Sequence, residues 1–289
     1  MTPDEYCQQK AAASGSSFYY SFLFLPEQKR KAITALYAFC REVDDVVDEC
    51  SDASIARVKL NWWHEETMRL YRGNAQHPVT KALAQYIEPF NLVEEYFQEI
   101  IDGMEMDLDN AQYPDFSALS LYCYRAASVV GLLSVEIFGY ENRDTLKYAH
   151  DLGMAFQLTN ILRDVREDAE RNRIYIPQDE MAQFGVSVDL LKQNKTTTSL
   201  QNLFAHQAQR ARKYYASAMA QLPAGDRYAQ RTGLIMAAIY QTILDEIEAD
   251  GFRVLEHRIS LPAIRKLWIA WRAHRTEKRH QRRNKRKRI

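Results

Sequence analysis

Helical periodicity extends over most of this 289-residue chain. The stretch 27–48 is typical, since apolar side chains recur there every three or four residues, at Leu36, Phe39, Val43 and Val47. Comparable periodicity predicts further helices over about 55–72, 79–86, 92–109, 116–139, 143–170, 197–221 and 231–250. Strand-like alternation is confined to 173–177, which we interpret as a loop leaving a helix. Ten glycines and eight prolines are too few for a turn-rich β architecture, so the sequence predicts an all-α protein.

Charge divides the chain into two parts that a net charge of zero conceals. Residues 272–289 hold ten of the 38 lysines and arginines and a single acid, Glu277, so the preceding 271 residues carry a net charge of −9. We expect one helical domain over 1–271, followed by a disordered basic tail over 272–289. The tail could attract anionic lipids. Nucleic acid is the alternative partner, but the tail has no aromatic side chain for stacking and the acidic body would repel a polyanion.

Nothing in the sequence predicts export or a membrane span. The first residues, Met1 to Glu5, lack a basic patch followed by an apolar stretch, and no run approaches the ~18 apolar residues of a spanning helix. The four cysteines lack CxxC pairs and zinc-ligand spacing, which favours reduced thiols. We expect a cytoplasmic protein, at most in peripheral contact with the inner membrane surface.

The first candidate site is a polar stripe on the helix predicted over 27–48. Tyr37, Arg41, Asp44 and Asp48 follow the i, i+4, i+7, i+11 spacing of one helix face. Taken alone, the pattern favours a solvated acidic face. A tyrosine and an arginine so close to two aspartates are less typical of such a face, which makes a ligand site the competing interpretation.

A second polar stripe lies 120 residues further along the chain. Gln157, Asn160, Asp164 and Asp168 share one face of the helix predicted over 143–170, and Arg163 is adjacent. Two helices that each present oxygen ligands one turn apart suit hard divalent cations, whereas zinc or iron would favour the His and Cys that both stripes lack. The two stripes together predict Mg²⁺ that is bound both by these protein oxygens and by substrate phosphates. Mn²⁺ could take its place.

Such a metal site suits a substrate whose leaving group is pyrophosphate. Cations neutralise the charge that grows on pyrophosphate as an allylic C–O bond breaks, and Arg41 and Arg163 could add fixed positive charge. The allylic cation left behind needs walls that exclude water, and aromatic rings can stabilise it. Most aromatic side chains of this chain are predicted to pack in the core, and Phe18, Tyr37 and Tyr122 are the candidates for the wall.

Five segments, in order, resemble the squalene/phytoene synthase family of head-to-head prenyltransferases over about residues 12–270. They are Ser16-Ser17-Phe18-Tyr19 with Leu25-Pro26, the first polar stripe, Tyr122-Cys123-Tyr124-Arg125 with Gly131, the second polar stripe, and Arg173-Ile174-Tyr175-Ile176-Pro177. Within that family, segments 16–26, 233–240 and 265–272 are most similar to the bacterial presqualene diphosphate synthases of the hopanoid route to squalene.

The resemblance implies the isoprenoid synthase fold, a single helical domain around a central cavity with Mg²⁺ at its mouth. It implies magnesium contacts from Asp44, Asp48, Asn160, Asp164 and Asp168. The four aspartates are catalytic residues because they would hold the metal that the reaction needs. It implies diphosphate or pocket contacts from Ser17, Phe18, Tyr37, Arg41, Gln157 and Arg163, and it makes Tyr122 a catalytic residue near the step that closes a cyclopropane. Ser128 stands where the family usually has glycine, so we expect Ser128 to narrow the cavity.

The implied reaction condenses two farnesyl diphosphates to presqualene diphosphate, without NADPH, and downstream enzymes of the squalene pathway are candidate partners. A phytoene synthase acting on geranylgeranyl diphosphate and a complete squalene synthase remain open, because cavity depth rather than motif spacing selects the chain length. A class I terpene cyclase fits less well, since the segment 122–131 has no role in one.

Overall fold

The computed structural model describes residues 1–13, 21–50, 52–109 and 112–287. The α-helices of these ranges are α1 (Pro3–Ala13), α2 (Glu27–Glu49), α3 (Ala53–Tyr71), α4 (Pro78–Ile87), α5 (Glu94–Asp109), α6 (Phe116–Cys123), α7 (Val129–Phe138), α8 (Asp144–Glu170), α9 (Gln178–Gln183), α10 (Val188–Leu191), α11 (Thr198–Gln221), α12 (Arg231–Ala249) and α13 (Ala263–Lys287). These ranges contain no strand, only an isolated bridge between Gln112 and Ile174. The all-α prediction is therefore confirmed.

Local sequence explains where several helices begin. Asp52, Asp115 and Thr197 stand just before α3, α6 and α11, and the side chain of each accepts a hydrogen bond from a backbone N–H of the first turn. Pro26 precedes α2, where a missing N–H costs no helical hydrogen bond. The helices predicted from periodicity match α2 to α8, α11 and α12 to within a few residues, whereas periodicity did not indicate α1, α9, α10 and α13.

A π-helical segment, Tyr124–Ser128, joins α6 to α7 without a break. The resulting continuous helix, Phe116–Phe138, is long and apolar enough to cross a membrane by length and composition alone, which corrects the prediction that no segment approaches that limit. In this protein the helix packs against α5 and α8, and most of its large apolar side chains are buried. Burial within the fold is therefore a sufficient reason for its apolar character.

The hydrophobic core has two halves. One half is built mainly from α2 to α5 together with part of α7, and the other mainly from α6, α8, α11 and α12. The continuous helix contributes to both, since Leu119 and Val135 belong to one half while Leu133 and Ile137 belong to the other. The space between the halves is the cavity described in the next subsection.

Helix α13 continues to Lys287, so the prediction of a disordered tail is wrong for residues 272–287. Glu277 is buried and receives two hydrogen bonds from Arg227, at 2.7 Å from Nη2 and 3.2 Å from Nε. One turn earlier, the ring of His274 stacks on Phe24 with centroids 4.5 Å apart. The single acid of the basic segment thus fastens the helix to the body of the protein.

Candidate active site

A cavity of about 510 Å³ separates the two halves of the core. Its walls come from α2, α5, the continuous helix 116–138, α8, α12 and the loop after α8. The predicted site residues that the structure describes all line it: Tyr37, Arg41, Asp44, Asp48, Tyr122, Gln157, Asn160, Arg163, Asp164 and Asp168. Ser17 and Phe18 lie outside the described residues. The two polar stripes therefore face one shared space.

The stripe on α2 forms one side of the polar end of the cavity. Phe39, Val43 and Val47 bury the other side of the helix in the core, which fixes the direction of the polar face. Arg41 forms ion pairs with Asp44 and Asp45. Burial raises the pKa of Asp44 to about 6, because burial, together with smaller contributions from the charges of Asp48 and Asp45, outweighs the lowering effect of Arg41.

The stripe on α8 lies across the cavity from the first. Asp164 Oδ1 accepts hydrogen bonds from Arg163 Nε at 2.8 Å and from Arg258 Nε at 2.9 Å. Burial alone would raise the pKa of Asp164, but these two arginines outweigh burial and hold the pKa below its usual range. Asp168, one turn further, has the opposite shift, since burial and the charges of Asp164 and Asp107 raise its pKa to about 8.

A turn after α8 links the two stripes. Helix α8 ends at Glu170, and Asn172 adopts a φ of 60°, a left-handed conformation that asparagine tolerates better than most residues. The chain reverses there, so that Arg171 Nη1 lies 3.1 Å and Arg173 Nη1 2.9 Å from Asp48 Oδ1 on α2. Arg171 and Arg258 are about half exposed, which indicates that the cavity opens at this polar end.

The donor set at the polar end fits Mg²⁺ or a similar hard cation. Asn160 Oδ1 is buried and has no hydrogen-bond partner among the residues that the structure describes. The raised pKa values of Asp44 and Asp168 indicate that these carboxyl groups have too little positive charge beside them to stay ionised easily. Carboxylate and amide oxygens from two facing helices are the ligands that such cations prefer. The residues present therefore suit the predicted metal.

The wall next to the polar end carries a tyrosine pair that shares a half-buried carboxylate. Tyr122 and Tyr175 stack with ring centroids 4.9 Å apart. Their hydroxyl groups donate hydrogen bonds to Asp107, Tyr175 to Oδ1 at 2.7 Å and Tyr122 to Oδ2 at 3.2 Å. Burial raises the pKa of Asp107 to about 6, and burial with the charge of Asp107 raises the pKa of Tyr122 well above its usual value. Tyr122 is therefore neutral at physiological pH.

Away from these groups the cavity is largely apolar. The side chains lining this part come from both halves of the core and include Phe22, Ile33, Leu36, Ile100, Met104, Val135, Phe138, Leu152, Phe156 and Met236. A long hydrocarbon chain would bury its surface against these apolar side chains. The arrangement can hold a charged group at one end and a hydrocarbon chain in the interior.

The expectation that Ser128 narrows the cavity is wrong. Ser128 is fully buried, and its hydroxyl donates to the backbone oxygen of His150 at 2.8 Å, away from the cavity lining. A glycine does allow a close approach of helices here, but it is Gly153 on α8. A β-carbon at Gly153 would lie 2.5 Å from Ser128 Cα, so α8 and the π-helical segment are nearly in backbone contact.

Several lining residues were not assigned roles from the sequence. Arg173 and Tyr175 belong to a segment whose resemblance to the family was noted, so that segment was the available signal. Asp107 lies within the run 104–109, where acids alternate with apolar residues and nothing distinguishes it from the others. Arg258 lies between α12 and α13, outside any recognised motif. These residues come into the site through the tertiary fold alone.

Comparisons with known proteins agree with this geometry. The sequence profile of the squalene/phytoene synthase family matches residues 11–265. The chain is 36% identical to presqualene diphosphate synthase of Rhodopseudomonas palustris, over 93% of this chain and 96% of that protein. It is 35% identical to the chloroplastic phytoene synthase 1 of Arabidopsis thaliana, over 90% of this chain but only 63% of that longer protein.

The fold comparison gives the same result. A crystal structure of a dehydrosqualene synthase in complex with a ligand superposes with a TM-score of 0.87 and 28% identity, over 96% of both chains. The isoprenoid synthase fold expected from the resemblance is thus confirmed. This chain belongs to the squalene/phytoene synthase family and is a prenyltransferase of the head-to-head type.

Proposed function

We propose that this enzyme condenses two farnesyl diphosphates to presqualene diphosphate, with release of one pyrophosphate and one proton, on the route to squalene and hopanoids. The observation that supports this function most directly is the pair of carboxylate stripes on α2 and α8, which face each other at one end of an apolar cavity. A charged end and an apolar interior match the two ends of a prenyl diphosphate. The similarity to the Rhodopseudomonas palustris enzyme supports the choice of product.

We further propose that the activity depends on Mg²⁺, with Mn²⁺ as a substitute. Asp44, Asp48, Asn160, Asp164 and Asp168 would hold the cations, since they supply the oxygen ligands at the polar end. Bound there, the cations would neutralise the charge that develops on the departing pyrophosphate.

Arginines beside these carboxylates would hold the diphosphate groups. Five of them line the polar end: Arg41, Arg163, Arg171, Arg173 and Arg258. Each is now within ion-pair distance of an aspartate, and a bound diphosphate would compete for the same guanidinium groups, because arginine forms paired hydrogen bonds with phosphate oxygens. With the diphosphates held at this end, the reacting C1 atoms would lie at the border of the apolar interior, where water is excluded.

Tyr122 would act at the step that closes the three-membered ring. In the proposed reaction, the C1–O bond of one substrate breaks, the C2=C3 bond of the other attacks that C1, and loss of a proton closes the cyclopropane. The neutral ring of Tyr122 can face the cation without capturing it. Its hydroxyl group, which donates to Asp107 Oδ2, provides a route by which the departing proton can reach this half-buried carboxylate.

A phytoene synthase acting on geranylgeranyl diphosphate is the second candidate. The identity to the plant phytoene synthase, at 35%, is almost the same as the 36% to the presqualene diphosphate synthase. A complete squalene synthase, which would also use NADPH, is the third. We propose that NADPH is not used.

Product analysis separates these candidates. The purified protein would be incubated with Mg²⁺ and labelled farnesyl or geranylgeranyl diphosphate, with and without NADPH, and the extracts analysed by mass spectrometry. We expect presqualene diphosphate from the C15 substrate, unchanged by NADPH. A C40 product from the C20 substrate alone would identify a phytoene synthase, and squalene formed only with NADPH would identify a squalene synthase. Full turnover in excess chelator would contradict the metal requirement.

We propose a cytoplasmic location with peripheral contact at the inner membrane surface, through the basic residues after 271. Long-chain isoprenoid products partition into membranes, so contact with the bilayer, and with downstream squalene-pathway enzymes, would aid their transfer. Fractionation of cells that express the tagged protein would test this location. The location would be contradicted if the protein were found only in membranes that retain it after a high-salt wash, or only outside the cell.

A further inference from the structure

Helix α13 exposes a row of large apolar side chains to solvent. The exposed fractions are 82% for Ile264, 43% for Leu267, 54% for Trp268 and 49% for Trp271. Positions 264, 267, 268 and 271 have the i, i+3, i+4, i+7 spacing of a single helix face. Two of the four tryptophans of the chain thus lie on one outward surface, where exposure of apolar area to water is unfavourable.

The opposite side of the same helix is already docked on the protein. Ile269 and Ala270 are buried, and His274 and Glu277 make the contacts with Phe24 and Arg227 described above. Because these contacts fix the rotation of the helix about its axis, the exposed row cannot turn inward. Its partner must come from outside the described fold.

The same outward face becomes strongly basic towards the end of the helix. Arg275, Lys278 and Arg282 follow Ile264 at i+11, i+14 and i+18, and all three are exposed. Two exposed indoles carry guanidinium groups over their rings, with Arg272 Cζ 5.4 Å from the centroid of Trp268 and Arg275 Cζ 5.1 Å from that of Trp271. Indoles beside arginines are typical of the headgroup region of a bilayer, and the basic residues complement anionic lipids.

The first turns of α13 lie next to the polar end of the cavity. Arg265 Nη2 is 2.5 Å from Glu246 Oε1 on α12. Arg163 and Arg258 of the polar end act electrostatically on Lys266 near the start of α13, and their charges add to burial in lowering its pKa. An amphiphilic molecule leaving a membrane under α13 would therefore have a short path to the cavity opening.

We propose that the outward face of α13 docks on an anionic bilayer, with Ile264, Leu267, Trp268 and Trp271 in the headgroup region and the following basic residues on the lipid phosphates. The surface extends the membrane contact of the basic segment to a defined apolar face. Its use for substrate uptake rests on the proposed function, whereas the docking itself does not. Self-association through this face fits less well, because it would bring two basic segments together. Nucleic acid also fits less well than lipid, because it would leave Ile264 and Leu267 without a partner.

Vesicle flotation with the full-length protein tests this surface. Vesicles of phosphatidylcholine mixed with the anionic lipid phosphatidylglycerol would be compared with pure phosphatidylcholine vesicles. We expect wild type to float with the anionic vesicles, and the Trp268→Ala/Trp271→Ala variant to bind at least tenfold more weakly. The matched control is Ile55→Ala/Val58→Ala, which removes two exposed apolar side chains from α3 and should bind like wild type. Circular dichroism verifies that each variant is folded.

Several results would overturn the docking surface. Among them are wild-type binding equal on both vesicle types, no binding to either, or unchanged binding of the double tryptophan variant. A wild-type dimer that the same variant converts to monomer, measured by light scattering, would assign the face to self-association instead. Turnover of detergent-dispersed substrate should be the same in wild type and variant. If no prenyl diphosphate is turned over at all, the proposed function fails while the vesicle result still decides the surface.

Discussion

The contact between Gly153 and the π-helical segment gives a prediction whose size can be worked from the structure. A β-carbon at position 153 would lie 2.5 Å from Ser128 Cα and 2.8 Å from both Ser128 N and Ala127 O. Carbon atoms rest at about 3.5 Å or more, so Gly153→Ala must push α8 away by about 1 Å. All three contacted atoms are backbone, and no side-chain rotation can relieve them.

Two opposing effects decide the stability of Gly153→Ala. Alanine favours the helix by ~1 kcal/mol over glycine. Overpacking of a tight interface costs ~1–3 kcal/mol. We expect overpacking to win, because the contacted atoms belong to a continuous helix, with a net loss of ~1–2 kcal/mol and a fall in Tm of roughly 2–6 °C.

Turnover should respond much more strongly than stability. Gln157 and Asn160 follow Gly153 by one and two turns on α8, so a 1 Å shift of this helix displaces the second stripe relative to the first. A misplacement of that size can lower a rate by ~100-fold. Thermal unfolding and steady-state turnover would be measured together, with Lys147→Ala on the exposed side of α8 as the control. A Gly153→Ala protein with the wild-type Tm and the wild-type rate would refute the close-contact argument.

The other predictions concern the site and the core. Asp44→Ala and Asp164→Ala should each abolish turnover and retain the helical circular dichroism spectrum, and activity within tenfold of wild type would exclude a metal-binding role. Tyr122→Phe should slow formation of the cyclopropane product more than it weakens metal binding, and an unchanged product and rate would exclude its role. Glu66→Gln should lower the free energy of unfolding at pH 7 by ~2–4 kcal/mol, measured in urea. Burial opposes ionisation of Glu66, but one hydroxyl, one guanidinium and two backbone N–H groups outweigh it and lower its pKa, so its stabilisation exists above the unfolded pKa of ~4.3 and is lost as pH falls through the lower folded value. The difference between wild type and variant should therefore shrink in acid.

The polar stripes could be predicted because their information is local. Asp44 and Asp48, like Asp164 and Asp168, are one turn apart on helices whose apolar side is plain from the sequence. Helical geometry alone then fixes which side chains project together. The facing of α2 and α8 required more, since it rested on the chemistry of a shared cation and on the resemblance to the family.

Contacts between distant segments could not be predicted in this way. Arg173 reaches Asp48 only because Asn172 reverses the chain after α8, and Asp107 meets Tyr122 and Tyr175 only when α5 packs against the continuous helix. The segment after 271 was interpreted from its composition as disordered. Composition did not reveal that its one acid, Glu277, pairs with Arg227 inside the fold.

The π-helical segment determines where the helix 116–138 can lose a residue and still present the same side chains to the cavity. In an α-helix, each step of four residues rotates a side chain by about 40°, so the series Tyr122, Ala126, Val130, Ser134 and Phe138 would drift by about 160° and turn partly away from any single surface. All five nevertheless line the same cavity, since the wider turn absorbs about one extra residue and cancels much of that rotation. Deleting one residue between 124 and 128 would return this turn to a regular α-helix and leave the side chains after it facing as before, whereas a deletion within 129–137 would keep the wide turn and rotate everything after the deletion by about 100°. A one-residue deletion should therefore be tolerated better within the wide turn than in the helix after it, where the same deletion would turn part of the cavity wall away.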